Sequence, residues 1–266
     1  MLEASNLIPD QPQPAAVREI GADDVRWALR QGWADFRALR GDLLFLPFLY
    51  AAVGFLASAL AFNRDLFVLI FPLAGGFALV GPLAAAGFYE LARRREAGEP
   101  TSWWNFFAPL KGPARLPLAV LAAVMVGLFV VWIMAAQAIY LNTMAKLAPH
   151  TPSQFMADLF ATPEGWTMIL LGNAVGAGFA LAALAVGAFS IPMVVDVKDG
   201  KAHDPVSAML TSINAFRRNP KSMLVWGAVV AGLLVAGSIP FFLGLMVVLP
   251  VLGYASWHLY TRAVQR

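Results

Sequence analysis

Glu90 and His258 are the residues of this chain with the most chemical reach. A carboxylate and an imidazole brought face to face could relay a proton or bind a polar ligand. Both stand at the end of a long apolar stretch, where they equally mark the point at which a helix leaves a bilayer. The other two histidines, His150 and His203, fall between apolar stretches. No two histidines share a helix face, so haem–copper chemistry, which needs several His ligands inside the membrane, has no ligand set here. The chain has no cysteine, which excludes disulfides, thiolate metal sites and thiol nucleophiles. Asn173 sits within Gly172-x3-Gly176, a small-residue packing pattern, and reads either as interhelical glue or as a ligand group. Pro72, Pro82, Pro192, Pro240 and Pro250 interrupt apolar runs; such prolines free backbone carbonyls, which either line a transport site or only shape a bundle. There is no Gly-rich phosphate loop, no His-Glu-x-x-His helix and no nucleophile elbow. No enzyme activity is therefore expected, and no catalytic, cofactor-binding or metal-binding residue.

The elements that must position these residues are membrane spans. Of the 266 residues 59% are hydrophobic and 13% charged, with a mean hydropathy of +0.67; a soluble domain carries roughly 25% charge. Five stretches hold no charged residue: 43–62, 66–89, 116–141, 167–195 and 222–257. A single span needs about 20 residues. The last stretch is long enough for two, and Gly237-Ser238-Ile239-Pro240 breaks it at its middle. The expected fold class is all-α: a polytopic membrane helix bundle of six transmembrane helices. Segment 1–21 reads as a flexible polar N-terminus without the apolar core of a cleaved signal peptide, and 22–266 as one transmembrane domain.

Charge sets the orientation. Seventeen of the nineteen Lys and Arg residues lie in the N-terminal segment, the second and fourth connections and the C-terminal segment; the opposite side has only Arg64 and Lys146. By the positive-inside rule both termini face the cytoplasm. No Arg/Lys block is present that could track a nucleic-acid backbone. Two cytoplasmic helices are expected to lie in the interface. One runs from Asp23 or Asp24 to Leu39 with Val25, Leu29, Trp33 and Phe36 on one face. The other is started by Asp204-Pro205 and carries Val206, Met209, Leu210, Ile213 and Phe216 on one face. Ser153 to Phe160 forms a short amphipathic helix on the outer side, and Thr162-Pro163-Glu164 caps the fourth span. Trp103, Trp104, Phe106 and Phe107 fit an aromatic belt.

Pro72, Gly76 and Pro82 recur as Pro240, Gly244 and Pro250 at an offset of 168 residues, giving Pro-x3-Gly-x5-Pro twice. Each copy, 22–95 and 204–266, is an interfacial helix followed by a membrane hairpin. The two hairpin repeats are parallel and flank a central pair, 116–195, which implies a pseudo-twofold axis along the membrane normal. The repeat makes Glu90 and His258 equivalent positions.

The stretch Phe77-Ala78-Leu79-Val80-Gly81-Pro82, with Gly87-Phe88-Tyr89-Glu90 and Arg93-Arg94-Arg95-Glu96-Ala97-Gly98-Glu99-Pro100, resembles a proteobacterial integral membrane family, domain-of-unknown-function family 2189. The resemblance continues in Thr162-Pro163-Glu164-Gly165, Gly172-Asn173-Ala174-Val175-Gly176, Pro250-Val251-Leu252-Gly253 and Trp257-His258-Leu259-Tyr260, and covers nearly everything after about residue 20. It implies a bacterial inner-membrane protein and brings no catalytic residues. Two functional classes remain. One is a non-catalytic accessory, assembly or scaffolding component, whose partners are the lipid bilayer and either another membrane protein or a second copy. The other is a permease for a neutral or amphipathic small molecule or lipid, favoured by the repeat and its paired prolines.

Overall fold

The structure, a computed structural model, describes residues 13–43, 81, 83, 85–148, 151–240 and 243–266. Nearly all of the expected span 43–62 and most of 66–89, with Pro72, Gly76 and Pro82, lie outside the described residues. Most of the membrane hairpin of the first repeat copy falls there too, while its ends, 22–43 and 85–95, are described. The described chain is helical apart from two isolated backbone bridges. Its elements are α1 (Ala22–Leu43), α2 (Ala86–Glu96), a 3-10 segment (Trp103–Leu110), α3 (Arg115–Asn142), a 3-10 turn (Met144–Leu147), α4 (Pro152–Ala161), α5 (Pro163–Val195), α6 (Pro205–Arg218), α7 (Pro220–Ser238) and α8 (Leu245–Ala263).

Local chemistry sets these boundaries. The Thr162 hydroxyl accepts from Gly165 N–H at 3.0 Å, Asp204 from Ser207 N–H at 2.8 Å and Thr151 from Gln154 N–H at 3.1 Å. In each case proline occupies the first turn, where its missing N–H costs nothing. The long final apolar stretch breaks where its Gly-Ser-Ile-Pro cluster stands, α7 ending at Ser238. There the backbones of Gly237 and Gly244 approach so closely that a Cβ on Gly244 would meet the Gly237 Cα at 2.8 Å.

Among the described residues three helices, α3, α5 and α7, are long and apolar enough to cross a membrane. Helix α8, the expected sixth span, is not among them. Tyr254, Ser256, His258, Thr261 and Arg262 make its second half polar, and that half packs inside the protein, with Tyr254, Trp257 and Tyr260 fully buried.

The buried core gathers at one end of the bundle, the end carrying the basic connections. Phe88 and Leu91 of α2, Phe106, Leu118 and Leu121, the last two turns of α5 from Phe189 to Val195, Met223 and Trp226 of α7 and the aromatic half of α8 form one continuous cluster. Farther along, α3 and α5 touch through a small second cluster around Trp132 and Phe179. There Val130, Val131, Met134, Leu170 and Leu171 point outward. Exposed apolar faces on helices of this length are surfaces for acyl chains.

The two expected interfacial helices turn mainly small residues to the rest of the bundle, with Leu29, Phe36, Met209 and Phe216 packed along the edge of the core. On α1 the buried stripe is Val25, Ala28, Gly32 and Asp35, while Trp33 is exposed and Leu29 and Phe36 are half-buried. On α6 it is Ser207, Ala208, Thr211, Ser212 and Ala215, while Val206 and Leu210 are exposed. The reason is physical. Beside lipid a large apolar side chain gains little by turning inward, whereas small residues let backbones approach and hydrogen-bond. Helix α1 lies along α8 so closely that a Cβ on Gly32 would meet Val251 O at 2.6 Å and Ala255 N at 2.7 Å. Helix α6 lies along α5, and its Ser212 hydroxyl accepts from Phe189 N–H at 3.1 Å.

Residues 13–20, the described part of the N-terminal segment, dock along the bundle as a non-helical strap with one isolated bridge, Val17 to Val264. Ala15 N–H donates to the Thr211 hydroxyl and Ile20 N–H to the Asn219 side chain, each at 2.9 Å. Arg18 N–H donates to Ala263 O at 2.8 Å and Gln265 N–H to Ala16 O at 2.9 Å. The strap thus ties the α6–α7 junction to the end of α8.

Candidate functional site

Polar chemistry in the described residues concentrates where α1, α2, α8 and the end of α5 meet. Three acids are buried there, Asp35, Glu90 and Asp196. Burial of a carboxylate is costly unless cations and donors surround it, and the charged run in the last turn of α2 supplies most of them. Glu90 accepts from Arg93 Nε at 2.9 Å, Arg93 Nη2 at 3.0 Å and Arg94 Nε at 2.6 Å. Glu99 caps the same two arginines from the far side, at 3.3 Å and 3.4 Å. These spacings follow from helix geometry, since i+3 and i+4 neighbours share a face.

Arg95 reaches across to α1, its Nε 2.9 Å from Asp35 Oδ1. The other oxygen of Asp35 is 2.8 Å from His258 Nε2 on α8. The His258 ring stands edge-on to Trp27, centroids 5.6 Å apart, and the Arg262 guanidinium lies 4.1 Å over the same indole. The next residue of the run, Glu96, accepts from Trp257 Nε1 at 3.0 Å and from Arg266 Nη1 at 2.7 Å. Arg266 then reaches Asp196, Nε to Oδ2 at 2.8 Å, and the Tyr260 hydroxyl donates to the same oxygen at 3.0 Å. Burial and the neighbouring Asp196 charge push the Tyr260 phenol above its ordinary pKa, so it stays a neutral donor. His203, in the α5–α6 connection, is shifted down by burial against the opposing pull of Asp196.

Glu90 and His258 therefore occupy one region without forming the expected pair. Glu90 is engaged by arginines of its own helix and His258 by Asp35 of α1. Asn173 is exposed on α5, and its carboxamide donates to Ile169 O of its own helix at 2.7 Å, so it bridges to no other helix among the described residues. Pro240 is exposed in the α7–α8 turn, Gly244 faces Gly237, and Pro250 is buried within α8. None of the three touches the charged network, and their counterparts Pro72, Gly76 and Pro82 are outside the described residues. Among the described residues no three His, Asp or Glu side chains converge as metal ligands would.

Asp35, Asp196, Asn219 and Arg266 carry the network or the strap and were not singled out by sequence. One signal was present for Asp35: with Val25, Ala28 and Gly32 it completes a helical stripe whose other members are small.

This arrangement of long apolar helices, a single packed end and self-paired charges defines an integral membrane protein with transmembrane helices. The family the sequence resembles is the one whose model matches: residues 70–196 match the model of the family described as "Predicted integral membrane protein (DUF2189)". The matched segment contains Glu90, the arginine run, α3, α5 and Asp196, whereas Asp35, His258 and Arg266 come from outside it. No curated protein and no solved structure matches the chain.

Proposed function

We propose that this protein is a non-catalytic accessory, assembly or scaffolding component of a bacterial inner-membrane complex, a six-helix bundle with both termini in the cytoplasm. The observation that carries the reading is the closed charge network. Every buried carboxylate among the described residues is matched by an arginine, histidine or tyrosine of this same chain, so the network ties α1, α2, α8 and the end of α5 to one another. Such a site braces a scaffold and offers its groups to no substrate. The outward apolar faces of α3, α5 and α7 give a partner helix or lipid ample surface.

A second reading, a permease for a neutral or amphipathic solute, has one observation in its favour. The hydroxyls of Ser190 and Tyr254 are buried without a hydrogen-bond partner, and a buried polar atom costs about 1–3 kcal/mol unless something pairs with it. Gentle native solubilisation, affinity capture and mass spectrometry of protein and lipid separate the two. The scaffold reading expects stoichiometric recovery of a larger membrane complex. Recovery alone, together with solute flux in liposomes that Ser190→Ala or Tyr254→Phe reduces, would establish the permease instead.

A further inference from the structure

The connection between α2 and α3 presents a ledge that the charge network does not use. Its base is fixed. Phe106 and Pro109 are buried, the Phe106 ring stands edge-on to Phe88 with centroids 5.0 Å apart, and Phe106 lies against Gly87, where no side chain would fit. Ser102 and Asn105 close the start of the 3-10 segment, Ser102 N–H donating to Asn105 Oδ1 at 2.8 Å. On this base Trp104 is 65% exposed, its indole stacked on Trp103 at 3.6 Å, and Leu110 is exposed beside Lys111.

Helix α3 starts four residues after Lys111, with Arg115 exposed and Leu116 75% exposed; Val120 continues the same outward row one turn on. Neither Lys111 nor Arg115 has an acidic partner among the described residues. The α3 N-terminus has no side-chain cap and no acid in its first turn. Helix starts favour anions and disfavour cations, so two cations at the foot of a membrane-crossing helix leave a local positive charge that the chain itself does not balance. The exposed cations at the foot of α3, the displayed indole and the aliphatic row follow one another within 17 residues of the chain, and their chemistry matches the parts of one kind of molecule.

We propose that this ledge binds an anionic phospholipid of the surrounding leaflet. The phosphate lies between Lys111 and Arg115, Trp104 sits at headgroup level as interfacial indoles do, and an acyl chain runs along Leu116 and Val120. Charge complementarity selects the occupant: a zwitterionic lipid brings its own cation to a place that already has two. The site is independent of whether the protein is a scaffold or a permease.

The test uses the full chain in nanodiscs made from equal parts phosphatidylglycerol and phosphatidylcholine, released for native mass spectrometry of the lipids retained. Wild type retains phosphatidylglycerol preferentially. Lys111→Gln and Arg115→Gln each lower that preference about fivefold, from the roughly 1 kcal/mol that a basic residue gains at an anionic surface, and the double variant retains both lipids alike. Both side chains are exposed, so the folded state survives, as the melting temperature of each variant verifies. Lys221→Gln removes an exposed cation from the start of α7 and leaves the preference intact. No preference in wild type, an unchanged preference in the double variant, or an equal loss in Lys221→Gln overturns the proposal.

Discussion

Asp35 is the residue whose removal tests the structure most severely. It is 4% exposed and holds Arg95 at 2.9 Å with one oxygen and His258 at 2.8 Å with the other. Substitution Asp35→Ala has unequal consequences for the two partners. The Arg95 side chain is 40% exposed, can turn to water, and contributes no more than a surface pair, below about 1 kcal/mol. The His258 side chain is 13% exposed and cannot turn away, so its Nε2 is left buried and unpaired at about 1–3 kcal/mol. The expected cost of Asp35→Ala is therefore about 3 kcal/mol, most of it through His258. Asp35→Asn keeps the shape and one hydrogen bond and costs about half as much. The assay is a double-mutant cycle with His258→Ala, read by SDS-titrated unfolding of the detergent-solubilised protein and followed by tryptophan fluorescence. The coupling energy is expected at about 1.5 kcal/mol, well above the roughly 0.5 kcal/mol that independent sites show. Additive single effects would refute the reasoning, because they would mean that the imidazole is satisfied without Asp35. The same loss frees α1 from α8, so limited proteolysis within α1 accelerates in Asp35→Ala and is unchanged in the exposed-site control Arg30→Gln.

Other outcomes follow from the same geometry. Gly32→Ala puts a methyl group 2.6 Å from Val251 O, forcing α1 off α8 at a cost of about 1–3 kcal/mol, seen as a lowered midpoint in the same titration. Asn219→Ala removes the partner of Ile20 N–H and of Arg18 O and costs about 2 kcal/mol; hydrogen exchange at Ile20 rises with it. Because His203 titrates below its ordinary value near 6.5, the unfolded chain takes up this proton first. Its contribution to stability is complete above that value and falls as the pH drops through and below it, a loss that His203→Gln removes from the acid limb of a pH–stability curve. Since the chain has no cysteine, single cysteines at Lys146 and Arg217 can be labelled cleanly. An impermeant maleimide added to intact cells is expected to reach the first and not the second.

Apolar length and terminal chemistry were legible in the sequence, and pairing was not. Helices α3 and α5 appear within a few residues of the bounds that charge-free runs suggest, and Thr162, Asp204 and the Gly-Ser-Ile-Pro break act as their types require. The inward faces of α1 and α6 were not legible. Apolar periodicity finds the burying face only when water is on the other side. On α1 and α6 it is the small residues that mark the side packed against the protein. The partners of Glu90 and His258 were hidden for another reason. A sequence shows that a charge stands at the end of a span, but which of several nearby opposite charges reaches it depends on helix rotation. Asp35 had no such signal of its own charge; it is the buried link where Gly32 lets α1 approach α8.

The docked strap carries a consequence in time. Residues 15–18 bond to Thr211 and to residues 263–265, so almost the entire chain separates the two sides of this closure. At about 5–20 residues per second of synthesis, on the order of ten to fifty seconds pass between emergence of the strap and of its last partners. During that interval the N-terminal segment lacks its partners, α1 lacks α8, and the acids of the network lack Arg266. The helices can enter the bilayer one after another, but the packed end can form only when translation is nearly done. Chains stalled before α8 would thus be inserted and yet unlatched, a state that a membrane protease could recognise by its free first helix.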